Sequence, residues 1–372
     1  RHYPADFIAE GIDQTRGWFY TLSVLSTALF DKAPFKNVVV NGMVLAEDGK
    51  KMSKRLKNYP EPQEIFSKYG ADALRAYLMT SPASHAEDLR FSEAGVKEIV
   101  RSVLLPLWNA YSFFVTYASA DGWGPAQFKV STLGALKDDT DRWVISRLQS
   151  LIASYERKMH SYHLYEVIPE VVDFIGQLTN WYIRLNRRRF WSEEKSEDKE
   201  QAYATLYFTL TEFNKALAPI LPFITESIFQ NLKHPKETAE SVHLSSFPTL
   251  QEKWIDRELE NQMALIETVV SMGRNCRNAN KLKTRLPLRE IKVITRDPGD
   301  KKAIERYQGL IAQELNVKAV SFSSEESLWV TLSAKANAKV LGPRLGQKMK
   351  TILQKVKELP ADRIAQLEQT GS

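Results

Sequence analysis

A chain of 372 residues is longer than one ordinary hydrophobic core organises, so two or three domains are expected. With 43% hydrophobic and 26% charged residues it has the composition of a soluble globular protein, and its single cysteine, Cys276, excludes a disulfide framework and a four-thiolate zinc site within the chain. The net charge of +6 is uneven: residues 273–372 hold 20 Lys and Arg against 10 Asp and Glu, the first 272 hold 31 against 35, and the basic C-terminal third suits either a polyanionic partner or plain solvation.

The opening RHYPADFIAEG reads as mid-domain sequence, so a fragment is expected. The lone cysteine suits a reducing cytoplasm, where the protein is expected; neither a signal peptide nor an apolar run near the roughly 20 residues of a membrane span is visible, and no membrane partner is expected. Phe7, Ile8 and Ala9 form a buried strand, Gly11 allows a turn, and Asp13 is placed to cap a helix with the apolar stripe Trp18, Leu22, Leu25 and Leu29. FKNVVVNGMVLA reads as a second buried strand, β-branched at Val38, Val39, Val40 and Val44. Next comes EDGKKMSKRLKNYPEP, where Lys50, Lys51, Lys54, Arg55 and Lys57 crowd a loop that Gly49 lets turn tightly. PQEIFSKYGADALRAYLM is a helix pair broken near Gly70, and the alternation of strands and helices is that of a nucleotide-binding sheet.

From about residue 93 long amphipathic helices take over, roughly 94–118, 139–160, 165–191, 199–217 and 219–232, so a helical bundle is expected. A polar stretch separates the first two. A helix over 254–280 leads to EIKVIT, a helix over 301–315, KAVSFS and SLWVTL, which read as a small βαββ module, and a basic helix over 345–358 follows.

Two places carry chemistry. In the lysine loop, Lys51 and Lys54 can both point inward with Ser53 between them as a short donor. Mobile ammonium groups at the edge of a nucleotide-binding sheet suit the stabilisation of phosphate charge in a transition state; a solvated loop is the plain alternative. On the helix over 178–191, Leu178, Trp181, Tyr182 and Leu185 make one apolar face, while Asn180, Arg184, Arg187, Arg188 and Trp191 make the other. Arginines beside an aromatic on a solvent face suit RNA, and a salt-bridged surface is the alternative.

KMSKR at 51–55, EGIDQTRGWF at 10–19, YGADALRAYL at 69–78, LTNWYIRLNRRRFW at 178–191 and APILPFITESIF at 218–229 together resemble the class I aminoacyl-tRNA synthetases, and within them the isoleucine-specific family. The form NGMVLAEDGKKMSKR is similar to its eukaryotic-type branch. The loop departs from the family's usual KMSKS by Arg55 in place of serine. The resemblance implies that Lys54, assisted by Lys51, is catalytic through the ATP phosphates. It also implies an adenylate contact from Glu10, with Gly11 and Asp13 near the ribose, Gln14 near the amino acid, Trp18 walling the side-chain pocket, Met43 and Val44 against adenine, and Ser53 in the loop. It further implies ATP as substrate with Mg²⁺, no zinc within this chain, L-isoleucine and tRNA(Ile) as partners, tRNA contact by Arg184, Arg187 and Arg188, and a monomer. Each role has a plain rival: Asp13 as a cap, Trp18 as core, Glu10 in a salt bridge, Cys276 as an inert helix residue.

The organisation that follows is multidomain. Residues 1–92 are expected to be the C-terminal half of a Rossmann-type α/β catalytic domain, 93–138 a connecting helix and linker, 139–285 an all-α anticodon-binding bundle, and 286–372 a small basic α/β module. The six histidines form no His-x-Gly-His, the first signature of the class, so the chain alone is expected to be inactive. A valine-specific relative and a non-catalytic RNA-binding module are the competing readings; EGIDQTRGWF argues against the first and the intact KMSKR loop against the second.

Overall fold

The computed structural model describes residues 3–53, 55–295, 297–323, 333–360, 363–364 and 366–367. The chain divides into two compact units, Arg1–Glu260 and Asn261–Ser372.

In the first unit the strands Ala5–Gly11 and Phe35–Asn41 pair in parallel, Ala5 opposite Phe35 and Gly11 opposite Asn41. The helix Trp18–Phe30 makes the crossover that a parallel pair requires. Neither strand is buried as its apolar run predicts: Phe7 is 52% exposed and Val38 47%. The helix also turns its expected stripe outward. Trp18, Leu25 and Leu29 are exposed, whereas Phe19 and Ser26 are buried and the Phe19 ring meets Phe35 at 6.3 Å. One helix on a two-stranded sheet can cover only one face of each, so among the described residues the remaining apolar side chains have no layer over them. A second parallel pair, Val44–Leu45 with Leu89–Arg90, is joined through the helices Pro62–Tyr69 and Ala71–Thr80, broken at Gly70 as expected.

The bundle then begins with Glu93–Asp121, a helix long and apolar enough, by length and composition, to cross a membrane. Its Val96, Val103, Leu107, Ala110 and Phe114 fall on one helical stripe and are buried, so in this unit they serve as core. Asp139–His160 starts at Asp138, whose side chain accepts from the Thr140 N–H at 2.7 Å. The helix over 167–191 runs on through a π-helical stretch, Gln177–Ile183. Glu197–Leu217 and Pro222–Leu232 complete the bundle, with Trp143, Phe174, Tyr182, Phe190, Tyr203 and Phe213 fully buried between helices. The polar stretch after residue 118 is pinned by Trp123, which stacks on Tyr203 at 5.6 Å and donates to Glu200 Oε2 at 3.0 Å.

In the second unit Leu288–Ile294 and Val317–Ser323 pair in parallel. Two helices, Pro298–Arg306 and Gln308–Leu315, stand where one was expected; the break is at Tyr307. The expected strand SLWVTL lies outside the described residues. Arg277 is 4% exposed and donates to the carbonyls of Lys283, Leu286, Leu315 and Asn316 at 2.6–3.1 Å, which ties the end of its helix to the approaches of both strands. The expected basic helix over 345–358 is present as Met349–Lys357, preceded by a single 3-10 turn and by a further helix, Ala338–Leu345.

Candidate active site and nucleic-acid interface

Glu10 and Gly11 end the first strand opposite Val40 and Asn41, so the carboxyl ends of both parallel strands lie at one edge, the edge at which open α/β sheets hold ligands. The chain continues from Asn41 through Gly42, which only glycine can occupy: a Cβ there would stand 1.8 Å from the Glu87 carbonyl oxygen. Gly42 N–H donates to Ala83 O at 2.9 Å, and Met43 is held by Leu89 N–H on its carbonyl at 2.8 Å and by Asp88 Oδ1 on its own N–H at 3.3 Å. Met43 and Val44 are therefore fixed by backbone yet exposed, 52% and 38%.

Asp13 does not cap the following helix. Residues Ile12–Arg16 form a 3-10 turn, which carries the Asp13 carboxylate back over Gly11, where a Cβ would lie 2.6 Å from its Oδ1. The N-cap is Gly17, which has no side chain to offer, and the Trp18 N–H is met instead by Gln14 Oε1 at 2.8 Å. Trp18 is 54% exposed and belongs to no core in the described residues.

The lysine loop is a compact, internally bonded turn. Gly49, at φ +81°, donates to Ala46 O, and Ala46 N–H returns to Lys50 O at 2.8 Å. Lys51 bridges Leu45 across the turn. Lys50 is used locally: its N–H and then its ammonium hold Asp48 below the usual carboxylate range. Asn58 closes the far side, accepting from the Ser53 N–H at 2.9 Å and donating to Lys51 O at 3.2 Å. Ser53 is half-buried, whereas Lys51, Arg55 and Lys57 are exposed. Lys54, the lysine given the leading role by the family resemblance, lies outside the described residues. A cavity of about 120 Å³ lies under the loop between Met52, Tyr59 and Phe91, too small for a nucleotide. Among the described residues no three His, Cys, Asp or Glu side chains cluster to hold a metal ion.

On the helix over 167–191, Leu178, Trp181 and Tyr182 are buried, Asn180, Arg187, Arg188 and Trp191 are exposed, and Arg184 is half-buried. The expected two faces are present. The third arginine of the run behaves differently, and the sequence reading missed it. Arg189 turns inward to Asp141 Oδ2 at 2.8 Å and Asp198 Oδ1 at 2.8 Å, and Tyr182 donates to Asp141 Oδ1 at 2.6 Å. Burial pushes Asp141 above the ordinary carboxylate range, and the Arg189 guanidinium limits that rise. A signal existed: Arg189 stands four residues after Leu185 and seven after Tyr182, on the apolar stripe.

The structure thus gathers Glu10, Gly11, Asp13 and Gln14 at one strand edge with Met43 and Val44 just past the neighbouring strand. Lys51 and Ser53 sit in a clasped loop, and the arginines lie on a separate helix of the bundle.

Residues 1–92 match the class I tRNA synthetases for I, L, M and V, and residues 141–293 match the anticodon-binding domain of tRNA ligase. The chain is 49% identical over 350 residues to the isoleucine–tRNA ligase of Protochlamydia amoebophila, which covers 94% of this chain and 33% of that protein. It is 47% identical over 370 residues to that of Bdellovibrio bacteriovorus, covering 99% and 35%. Among solved structures, the LeuRS of Agrobacterium radiobacter K84, in a ternary complex with tRNA and LeuAMS, aligns with a TM-score of 0.51 at 19% identity, over 68% of this chain and 29% of that one, a likeness of fold. The chain spans about a third of the length of the curated relatives it matches. It is a homologue of the isoleucine–tRNA ligases that carries a class I tRNA synthetase segment followed by an anticodon-binding domain.

Proposed function

We propose that this chain supplies the lysine-loop side of an isoleucine–tRNA ligase active site together with helices that hold tRNA(Ile). The reaction is attack of the L-isoleucine carboxylate on the α-phosphorus of ATP, which forms isoleucyl-adenylate and breaks the bond to pyrophosphate. A hydroxyl at the tRNA terminus then attacks the adenylate carbonyl, and AMP leaves. Little proton movement is needed in the first step, so positioning and charge stabilisation carry it. Lys51 and Lys54 meet the charge that builds on the phosphates, and Mg²⁺ brought with ATP would add to the same charge neutralisation. Glu10, Gly11, Asp13 and Gln14 contact the adenylate, Met43 and Val44 flank adenine, Ser53 donates from the loop, and Trp18 walls the aliphatic side chain.

The observation that carries the reading is the clasped loop, in which Gly49 and Asn58 fix the backbone while Lys51 stays exposed. The Arg187 and Arg188 face supports the tRNA role. The form NGMVLAEDGKKMSKR supports the eukaryotic-type branch, and the same reading makes the protein a cytoplasmic monomer with the domain limits expected from the sequence. The test takes the chain alone and mixed with the part of the Protochlamydia relative that this chain does not match. Alone it should bind tRNA(Ile) without isoleucine-dependent pyrophosphate exchange, and exchange should arise in the mixture. Absence of tRNA binding, or robust exchange by the chain alone, would overturn the reading.

A further inference from the structure

The short strand Leu89–Arg90 carries a further cation to the lysine loop. Its register sets Leu89 opposite Val44 and Arg90 opposite Leu45, and Phe91 N–H donates to Leu45 O at 2.9 Å, so the Arg90 backbone is fixed at the root of the loop. From there the guanidinium lies over the turn. A Cβ at Gly49 would stand 3.2 Å from its Nε, 3.4 Å from Cζ and 3.5 Å from Nη2. The tight turn and the arginine thus share one space, which a side chain at residue 49 would contest.

Nothing local takes up the charge. Arg90 is exposed and forms no ion pair or side-chain hydrogen bond among the described residues. The carboxylates near it in the chain are engaged elsewhere: Asp48 with Lys50 at 3.2 Å, Asp88 with the Met43 N–H at 3.3 Å, Glu87 with His85 at 3.8 Å, and Glu93 with Lys68. Lys51, Arg55 and Lys57 are exposed and likewise form no ion pair among the described residues. Glu47 is the one uncommitted carboxylate of the loop among the described residues, and it does not balance four cations. Like charges gathered without counter-ions repel, mildly in water and more strongly where solvent is excluded. A bound polyanion attracts all of them at once.

The position along the strands says which part of a nucleotide Arg90 would meet. Val44 flanks adenine in the reading above, and Arg90 stands one residue farther along the paired strands, on the way to the lysines. That order runs from base to phosphates. A guanidinium offers paired N–H donors in a plane that matches phosphate oxygens, which an ammonium does not. We propose that Arg90 is a phosphate-binding residue of this site, gripping the pyrophosphate portion of ATP together with Lys51. The proposal rests on the ligase reading for the source of the phosphates; the anion site itself rests on Arg90, the turn at Gly49 and the uncompensated charge.

Two measurements test it on the parent, Arg90→Met and Arg90→Lys. Binding of inorganic pyrophosphate to the full chain is followed by isothermal titration calorimetry, and isoleucine-dependent pyrophosphate exchange in the mixture with the unmatched part of the Protochlamydia relative. Arg90→Met keeps an unbranched stem over Gly49 and removes the charge. It should raise KM for ATP and for pyrophosphate about tenfold, the scale of one charge-assisted contact, and weaken pyrophosphate binding by the chain about as much. KM for isoleucine should stay at the parental value, and Arg90→Lys should recover part of each loss. A lower kcat with parental KM for ATP and pyrophosphate would make Arg90 a support of the turn and overturn the proposal. Parental kinetics in Arg90→Met would make it a solvated arginine, with the same consequence. Parental exchange with slower transfer to tRNA(Ile) would assign the cation to a tRNA phosphate and overturn the ATP source. Pyrophosphate binding that falls in Arg90→Met, in a mixture without exchange, supports the anion site and removes the ligase reading. Neither exchange nor pyrophosphate binding by the parent overturns both.

Discussion

The Asp72 carboxylate caps a helix that begins 150 residues later: its Oδ2 accepts from the Ile224 N–H at 2.8 Å and its Oδ1 from Phe223 N–H at 3.3 Å. These two donors belong to the first turn of Pro222–Leu232, where a helix has no internal acceptors and favours negative charge. One turn along, Arg75 donates to Pro219 O at 2.9 Å and Ile220 O at 3.0 Å. The Ala71–Thr80 helix therefore grips the turn before the bundle helix with an anion and a cation at once. It lies in the segment that matches class I synthetases, and its partner lies in the anticodon-binding domain.

Removing that cap should cost stability. In Asp72→Ala two backbone donors in a water-poor place are left without their acceptor, an effect of about 1–3 kcal/mol. Urea unfolding followed by circular dichroism should show a lower midpoint with an unchanged slope. An unchanged midpoint would mean that water replaces the carboxylate at no cost.

The same group gives a pH signature. Burial raises the Asp72 pKa above the ordinary carboxylate value, and the Ile224 and Phe223 N–H groups only partly offset this. A carboxyl whose folded pKa is raised contributes stability that is fully present below the unfolded pKa of about 3.9 and is lost as pH rises through the folded value. The stability difference between the parent and Asp72→Asn should therefore shift against the parent as pH rises from 4 to 7. A difference that is flat, or shifts the other way, refutes the raised pKa.

For catalysis, Lys54→Ala in the reconstituted enzyme should slow isoleucine-dependent pyrophosphate exchange by roughly 10²–10³-fold at saturating ATP, the scale of one preorganised charge. Isoleucine binding without ATP should be unchanged. Lys50→Ala is the control: its ammonium pairs with Asp48 in the turn, so it should lower the rate far less. Equal effects for the two would show that the loop acts only as a diffuse positive patch.

What could be read from the sequence divides along physical lines. Asp139–His160 matches the expected helix to the residue and Glu197–Leu217 within two, because helical periodicity and Asp or Ser caps are local signals. The outward turn of Trp18 and Leu25 could not be read, since periodicity marks an apolar face without saying what covers it. Gln14 in place of Asp13 was missed because the 3-10 turn shifts which side chain reaches the first N–H of the helix. The Asp72–Ile224 hydrogen bond joins residues 152 apart, so no window of sequence contains it.

The run Arg187-Arg188-Arg189 looks uniform in sequence, yet the structure divides it by environment. Arg187 and Arg188 are exposed, and Arg189 is paired with Asp141, which is fully buried. Breaking a buried pair leaves a charge in a medium that cannot solvate it, so Arg189→Met should cost about 3–5 kcal/mol in urea unfolding. Arg187→Ala with Arg188→Ala removes no buried partner, and its midpoint should stay within about 0.5 kcal/mol of the parent. The order reverses for RNA. The double variant should weaken tRNA(Ile) binding, and the slope of log K against log salt should fall by about one unit for each phosphate no longer neutralised, because fewer counterions are released. Arg189→Met, assayed at a temperature where it remains folded, should keep the parent slope. Filter binding at four salt concentrations separates the cases. A double variant with parental affinity at every salt concentration would make the exposed arginines an ordinary solvated surface, and a reduced slope in Arg189→Met would place RNA contact on the inward side as well.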